Sequence, residues 1–82
     1  MKNNMFYIQD SRQYVGNDML FWGRNNSGYV SDLDKAEVYT LSEAIKYASR
    51  ETDIIWPYDH IESIHRRTVD MQYKDNSLIV EK

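Results

Sequence analysis

All three glycines of the chain lie between Gly16 and Gly28, and they enclose its bulkiest apolar run, Met19-Leu20-Phe21-Trp22. Large apolar and aromatic side chains bounded by Gly16-Asn17 on one side and Gly23-Arg24-Asn25-Asn26-Ser27-Gly28 on the other specify a strand between two reversals. Gly16 and Gly28 are placed to supply the positive φ that other residues adopt only at a cost. Tyr29 and Val30 are then expected to return antiparallel to Phe21 and Trp22, through a loop longer than the tight two-residue type.

The residues that follow change period. Ser31 stands as an N-cap before Asp32, Leu33, Asp34, Lys35 and Ala36, with both aspartates near the positive end of a single helical turn. Val38-Tyr39 reads as a short strand. Thr40-Leu41-Ser42-Glu43 is a capping box, in which the Thr40 hydroxyl accepts from the Glu43 amide and the Glu43 carboxylate reaches back to the Thr40 amide. The helix it opens is expected to run from Leu41 to about Arg50, burying Leu41, Ala44, Ile45 and Ala48 at the i, i+3, i+4, i+7 spacing of one face.

Upstream, Met5 to Gln9 is expected as the first strand, with Asp10-Ser11-Arg12-Gln13 as the turn that brings Tyr14 and Val15 back beside it. Downstream, the proline at position 57 forces extended geometry on Trp56, so Ile54-Ile55-Trp56 reads as extended. Pro57 then opens a helical turn or two through Ile64. Val69, Met71 and Tyr73 alternate with polar residues as in a half-buried strand, and Leu78-Ile79-Val80 is either a last strand or an exposed tail. The sum is a single α+β domain over residues 1–82, a small antiparallel sheet of four to five strands with one main α-helix packed on one face. The expected core is Phe6, Ile8, Val15, Leu20, Trp22, Val38, Leu41, Ala44, Ile45, Ala48, Ile55, Ile61, Val69 and Met71.

A chain of 82 residues buries only about 60 to 65% of its unfolded surface, so the aromatic side chains must supply much of the core. The absence of cysteine excludes a disulfide framework and a thiolate metal site. The N-terminus has no apolar export segment and no run reaches the length of a membrane span, so neither export nor insertion is expected. A formal charge of −3 argues against binding nucleic acid through bulk charge. The charge is uneven, with Asp32, Asp34, Glu37, Glu43, Glu51 and Asp53 outnumbering Lys35, Lys46 and Arg50 between Ser31 and Asp53.

No catalytic signature is present. His60 and His65 are five apart, which is not helical ligand spacing, so solvent-facing or hydrogen-bonded histidines are expected rather than a metal site. No serine sits in a nucleophile elbow, and the glycine loop has neither the P-loop ending nor a dinucleotide fingerprint. No cofactor or metal is expected.

Tyr14-Val15-Gly16-Asn17, Leu20-Phe21-Trp22, Ser27-Gly28-Tyr29, Asp32-Leu33, Ala36, Tyr39-Thr40 and Glu43-Ala44 together resemble a pattern in small accessory proteins of tailed bacteriophages, with a weaker likeness at Pro57, Tyr58, Asp59 and Ile61. That family is of unknown function and has no catalytic or binding positions to carry over. The resemblance implies an early, non-enzymatic protein of the host cytoplasm that binds and blocks a host protein, such as an immune component, in the manner of anti-CRISPR proteins. The expected partner is a nucleic-acid-binding defence complex, met by a face comprising Asp32, Asp34, Glu43, Tyr47 and Arg50. The alternative is a small nucleic-acid- or nucleotide-binding accessory protein using Arg66, Arg67, Lys74, Tyr58 and Tyr73. An edge strand at Leu78–Val80 would invite a homodimer. No membrane partner is expected.

Overall fold

The computed structural model describes residues 4–26, 28–64 and 79–80. Its sheet is built on β1 (Met5–Val15). Phe6 pairs with Tyr39 on one side and Pro57 on the other, and Gln9 pairs with Phe21 and Ile54 in the same way. A strand has two edges, so β5 (Asp53–Pro57) occupies one of them over Phe6 to Asp10. Meanwhile β4 (Tyr39–Thr40) and β2 (Asp18–Trp22) share the other, end to end. β3 (Tyr29–Val30) continues the sheet beyond β2, with Phe21 opposite Val30 and Trp22 opposite Tyr29. All pairings are antiparallel. The result is a small α+β fold on a curled antiparallel sheet.

The turn expected at Asp10–Gln13 is instead a bulge within one continuous strand. Asp10 pairs with Leu20 and Tyr14 with Met19, so residues 11–13 of β1 have no counterpart on β2. Their polarity serves local bonds: the Ser11 amide and hydroxyl both donate to the Thr52 carbonyl, at 2.9 and 2.8 Å, and the Arg12 amide donates to the Asp10 carboxylate at 3.1 Å. The true reversal is Gly16-Asn17, a two-residue loop between Val15 and Asp18 in which Gly16 has φ 59°. Val15, expected in the core, is exposed because this hairpin end extends past the elements that cover the sheet.

Both faces of the sheet are covered. Directly opposed residues share a face, so Tyr7, Gln9, Phe21, Ile54 and Trp56 lie on one side. There, α2 (Tyr58–Ile64) packs Ile61 onto them, joined by Leu33 and Ala36. Ile8, Ile55 and Tyr39 lie on the other side, where α1 (Leu41–Tyr47) packs Ala44 and Ala48. Half-buried Phe6, Trp22 and Val80 join this second cluster, and Val38 joins the first. The second helix explains why Tyr7, Met19, Phe21 and Trp56 are buried alongside the expected Ile8, Leu20, Ile55 and Ile61. Val69 and Met71 lie outside the described residues.

The capping box forms as the residues require: the Glu43 amide donates to Thr40 Oγ1 at 3.3 Å and the Thr40 amide donates to Glu43 Oε1 at 3.0 Å. The helix ends at Tyr47, short of Arg50, with Ala48 as its C-cap. Its buried stripe is narrower than expected. Ala44 and Ala48 are enclosed, whereas Leu41 and Ile45 are 43% and 47% exposed. A helix of two turns touches the sheet along one line, and small side chains on that line let it lie close while the larger ones flank it outside. Upstream, Asp32 rather than Ser31 caps the 3-10 turn Leu33–Lys35, its carboxylate accepting from the Asp34 amide at 2.9 Å. At the far end of the chain, the Val80 amide donates to the Ile55 carbonyl at 2.9 Å, on the edge of β5 away from β1.

This helix seat is testable by urea denaturation. Enlarging Ala44 to leucine is expected to cost about 1–3 kcal/mol through overpacking, while Leu41→Ser and Ile45→Ser, at exposed positions, should each stay within about 0.5 kcal/mol.

Candidate functional site

A groove of about 300 Å³ opens beside α1, lined by Asn25, Glu37, Val38, Tyr39, Glu43 and Tyr47. Each wall has a local cause. The loop after β2 closes with the Gly23 amide donating to the Gly28 carbonyl at 2.7 Å, and this holds Asn25 in the left-handed region at φ 53°, which asparagine tolerates better than most residues. Glu37 is fixed by its amide donating to the Trp22 carbonyl at 2.9 Å. Tyr39 is brought in by β4, and Glu43 and Tyr47 project from the same flank of α1, four residues apart. The Tyr39 and Tyr47 rings meet at 5.8 Å and 50°.

The groove is electrostatically negative. Burial is the largest cause that pushes the Tyr39 phenol up to about 12, and the charges of Glu37, Tyr47 and Glu43 add to it. Tyr39 is 8% exposed as a residue, but its hydroxyl, which has no hydrogen-bond partner among the described residues, is not closed off from water. Glu43 is held below the usual carboxylate range, first by the Thr40 amide and hydroxyl and then by Lys46. Lys46 Nζ lies over the Tyr47 ring at 5.5 Å.

Of the residues expected at a partner face, the groove brings together Glu43 and Tyr47. Asp32 and Asp34 belong to the 3-10 turn and do not line it, and Glu37 supplies the second carboxylate instead. Arg50 is drawn away from it, donating to both carboxylate oxygens of Asp53, at 3.1 and 3.3 Å, and to the Tyr29 hydroxyl. The sequence signals for Glu37, Tyr39 and Asn25 were weak because these residues come from three separate connections. Only a β4 strand leading directly into the Thr40 capping box hinted that Tyr39 would stand beside Glu43.

For the nucleic-acid alternative, Tyr58 is half-buried and stacked on Tyr7 at 5.3 Å and 22°, while Arg66, Arg67, Tyr73 and Lys74 lie outside the described residues. His60 is half-buried, and its Nε2 has no hydrogen-bond partner among the described residues. Its ring stacks on Trp56 at 5.6 Å, which closes Nε2 off from water. His65 lies outside the described residues. Among those described, no three metal-ligating side chains converge, and no helix is long and apolar enough to cross a membrane.

Among the described residues, the two most buried tyrosines offer a paired test of this environment. Tyr7 donates to Glu62 Oε2 at 2.6 Å, so Tyr7→Phe is expected to cost about 1–2 kcal/mol in urea unfolding at neutral pH, whereas Tyr39→Phe should change stability by less than about 0.5 kcal/mol. In alkali, a phenol whose folded pKa is about 12 against about 10 unfolded keeps its proton longer in the fold. Its contribution is whole below pH about 10 and is lost as pH rises through about 12. Tyr39→Phe should therefore flatten the fall of stability across that window.

No protein-family model, curated protein or solved structure matches the chain.

Proposed function

We propose that the chain is a small non-enzymatic inhibitor, of the kind made by tailed bacteriophages, that docks on a host protein in the host cytoplasm and blocks it. The target it suits best is a nucleic-acid-binding component of bacterial immunity. The observation that carries this reading is the unusual dress of α1. Two turns of helix place Leu41 and Ile45 outside on one flank and Glu43 and Tyr47 on the other, while only alanines face the sheet. Apolar side chains left on an outer surface, beside an aromatic and an acidic wall, are the composition of a protein-docking face. The acidic wall suits a partner whose own groove is basic, where charge would speed encounter more than it sets affinity. A standard interface takes roughly 800 Å² from each partner, a large share of one face in a chain with 5170 Å² of accessible surface.

Charge reversal at Asp32 or Glu43 removes a helix cap as well as a charge, so the apolar flank gives the cleaner test. The immobilised chain should retain one host protein in stoichiometric amount from bacterial lysate. The double variant Leu41→Glu, Ile45→Glu should keep its circular dichroism and lose that protein at least tenfold. Retention of no specific protein, or undiminished retention by the double variant, refutes this assignment of the face.

A further inference from the structure

We propose that Ile79 and Val80 form a strap that keeps the outer edge of β5 closed to a second copy of the chain. This device stands apart from the host-docking face, because it governs how the chain meets its own copies.

The register of β5 on β1 fixes which of its backbone groups face out. The Ser11 amide donates to the Thr52 carbonyl, so the alternate pairs Gln9–Ile54 and Tyr7–Trp56 turn their amides and carbonyls toward each other. Asp53, Ile55 and Pro57 therefore turn theirs to the edge away from β1. An apolar strand with such an edge is a template for another strand.

Each outward position is closed in its own way. The Asp53 amide turns back to donate to the Arg50 carbonyl at 3.1 Å, and Pro57 has no amide to offer. Ile55 lies between them as the one position able to exchange both bonds with a neighbour. Val80 stands there, its amide donating to the Ile55 carbonyl at 2.9 Å. The two residues alternate as in a strand: Ile79 packs against the cluster of Tyr7, Phe21 and Trp56, and Val80 against that of Ile8, Tyr39 and Ile55. They cover the edge and extend both apolar layers, yet among the described residues one bridge holds them.

The excluded occupant follows from the same geometry. Two copies of β5 meeting antiparallel about Ile55 set that residue opposite its own copy, where each amide finds a carbonyl, and set Asp53 opposite the partner's Pro57. This register is two-fold and closed, so it makes a dimer rather than a filament. It is also poor in bonds, since the Asp53 and Pro57 positions add none while the Asp53 amide stays with Arg50. A strap held by one bridge has little to outcompete.

Sedimentation velocity on the full chain tests this, with near-UV circular dichroism to confirm the fold. The unaltered chain should stay monomeric up to about 0.5 mM, whereas Val80→Pro, which removes the amide that bonds Ile55, should dimerise with a Kd on the order of 0.1–1 mM. Pro57→Ala alone should remain monomeric under its intact strap. Combined with Val80→Pro it should tighten the dimer about tenfold, because two new amides then face the Asp53 carbonyls of the pair. A peptide of residues 76–82 added in trans should return Val80→Pro to monomer, and the same peptide carrying Val80→Pro should not. If Val80→Pro loses its near-UV signal, Val80→Asp displaces the strap through its side chain and carries the same comparison. A dimer of the unaltered chain at about 0.1 mM, a folded double variant that stays monomeric, or a dimer indifferent to the peptide overturns the proposal.

Discussion

Asp10 and Asp53 stand opposite each other across β1 and β5, on one face of the sheet and closed off from water. Like charges so placed repel, and each is answered by an arginine close by in sequence. Arg12 bonds Asp10 through Nε and Nη2, both at 3.0 Å, and Arg50 bonds Asp53 through Nη2 at 3.1 Å and through its own amide at 3.2 Å. The arginine fork is the main cause that holds Asp10 below the usual carboxylate range, with burial opposing it. These two pairs end the β1–β5 ladder and fix its register. A slip of one residue by β5 would carry Asp53 to the other face, beside Tyr7 and Phe21. They also hold the turn after α1, because Arg50 reaches Tyr29 from the same position and so ties the end of the helix to β3. The seat of α1, and with it the groove, depends on this polar pin.

The devices that could be read from the residues are those closed within a few positions. Gly16 and Gly28 have φ of 59° and 95°, Phe21 and Trp22 pair with Val30 and Tyr29, and Thr40 caps Glu43 as its spacing dictates. Each depends on backbone sterics or on a bond between neighbours, so no distant partner is needed to predict it. The failures share the opposite cause. Asp10 to Gln13 has turn chemistry, but whether polar residues bend a chain or bulge a strand was decided by Thr52, some forty positions away, offering its carbonyl to Ser11. Likewise, helical periodicity finds the apolar half of α1 but not which line within it meets the sheet. Ile8, Ile55 and Tyr39 already fill that surface, and alanine is what the remaining space admits.

Burial on both faces explains a further misreading. The expected core, built under one helix on one face, took Phe6, Ile8, Leu20 and Trp22 as inward. A sheet with helices on both sides must bury both sets, and the chain does so with side chains that carry a polar tip. Trp56 donates to Gln9 at 2.8 Å and Tyr7 to Glu62 at 2.6 Å, so the second face is an aromatic layer whose polar atoms are bonded within it.

The same bookkeeping, applied to charge, separates the groove from the rest of the surface. The Asp10–Arg12 and Asp53–Arg50 pairs each sum to zero and send little field outward. Glu37, which lines the groove, has no such partner among the described residues, and Glu43, in the same lining, caps α1 through Oε1. The helix cap and the acidic wall of the groove therefore meet in one carboxylate. Lys46 softens that wall, since its charge acts on Glu43 and its Nζ lies over the Tyr47 ring.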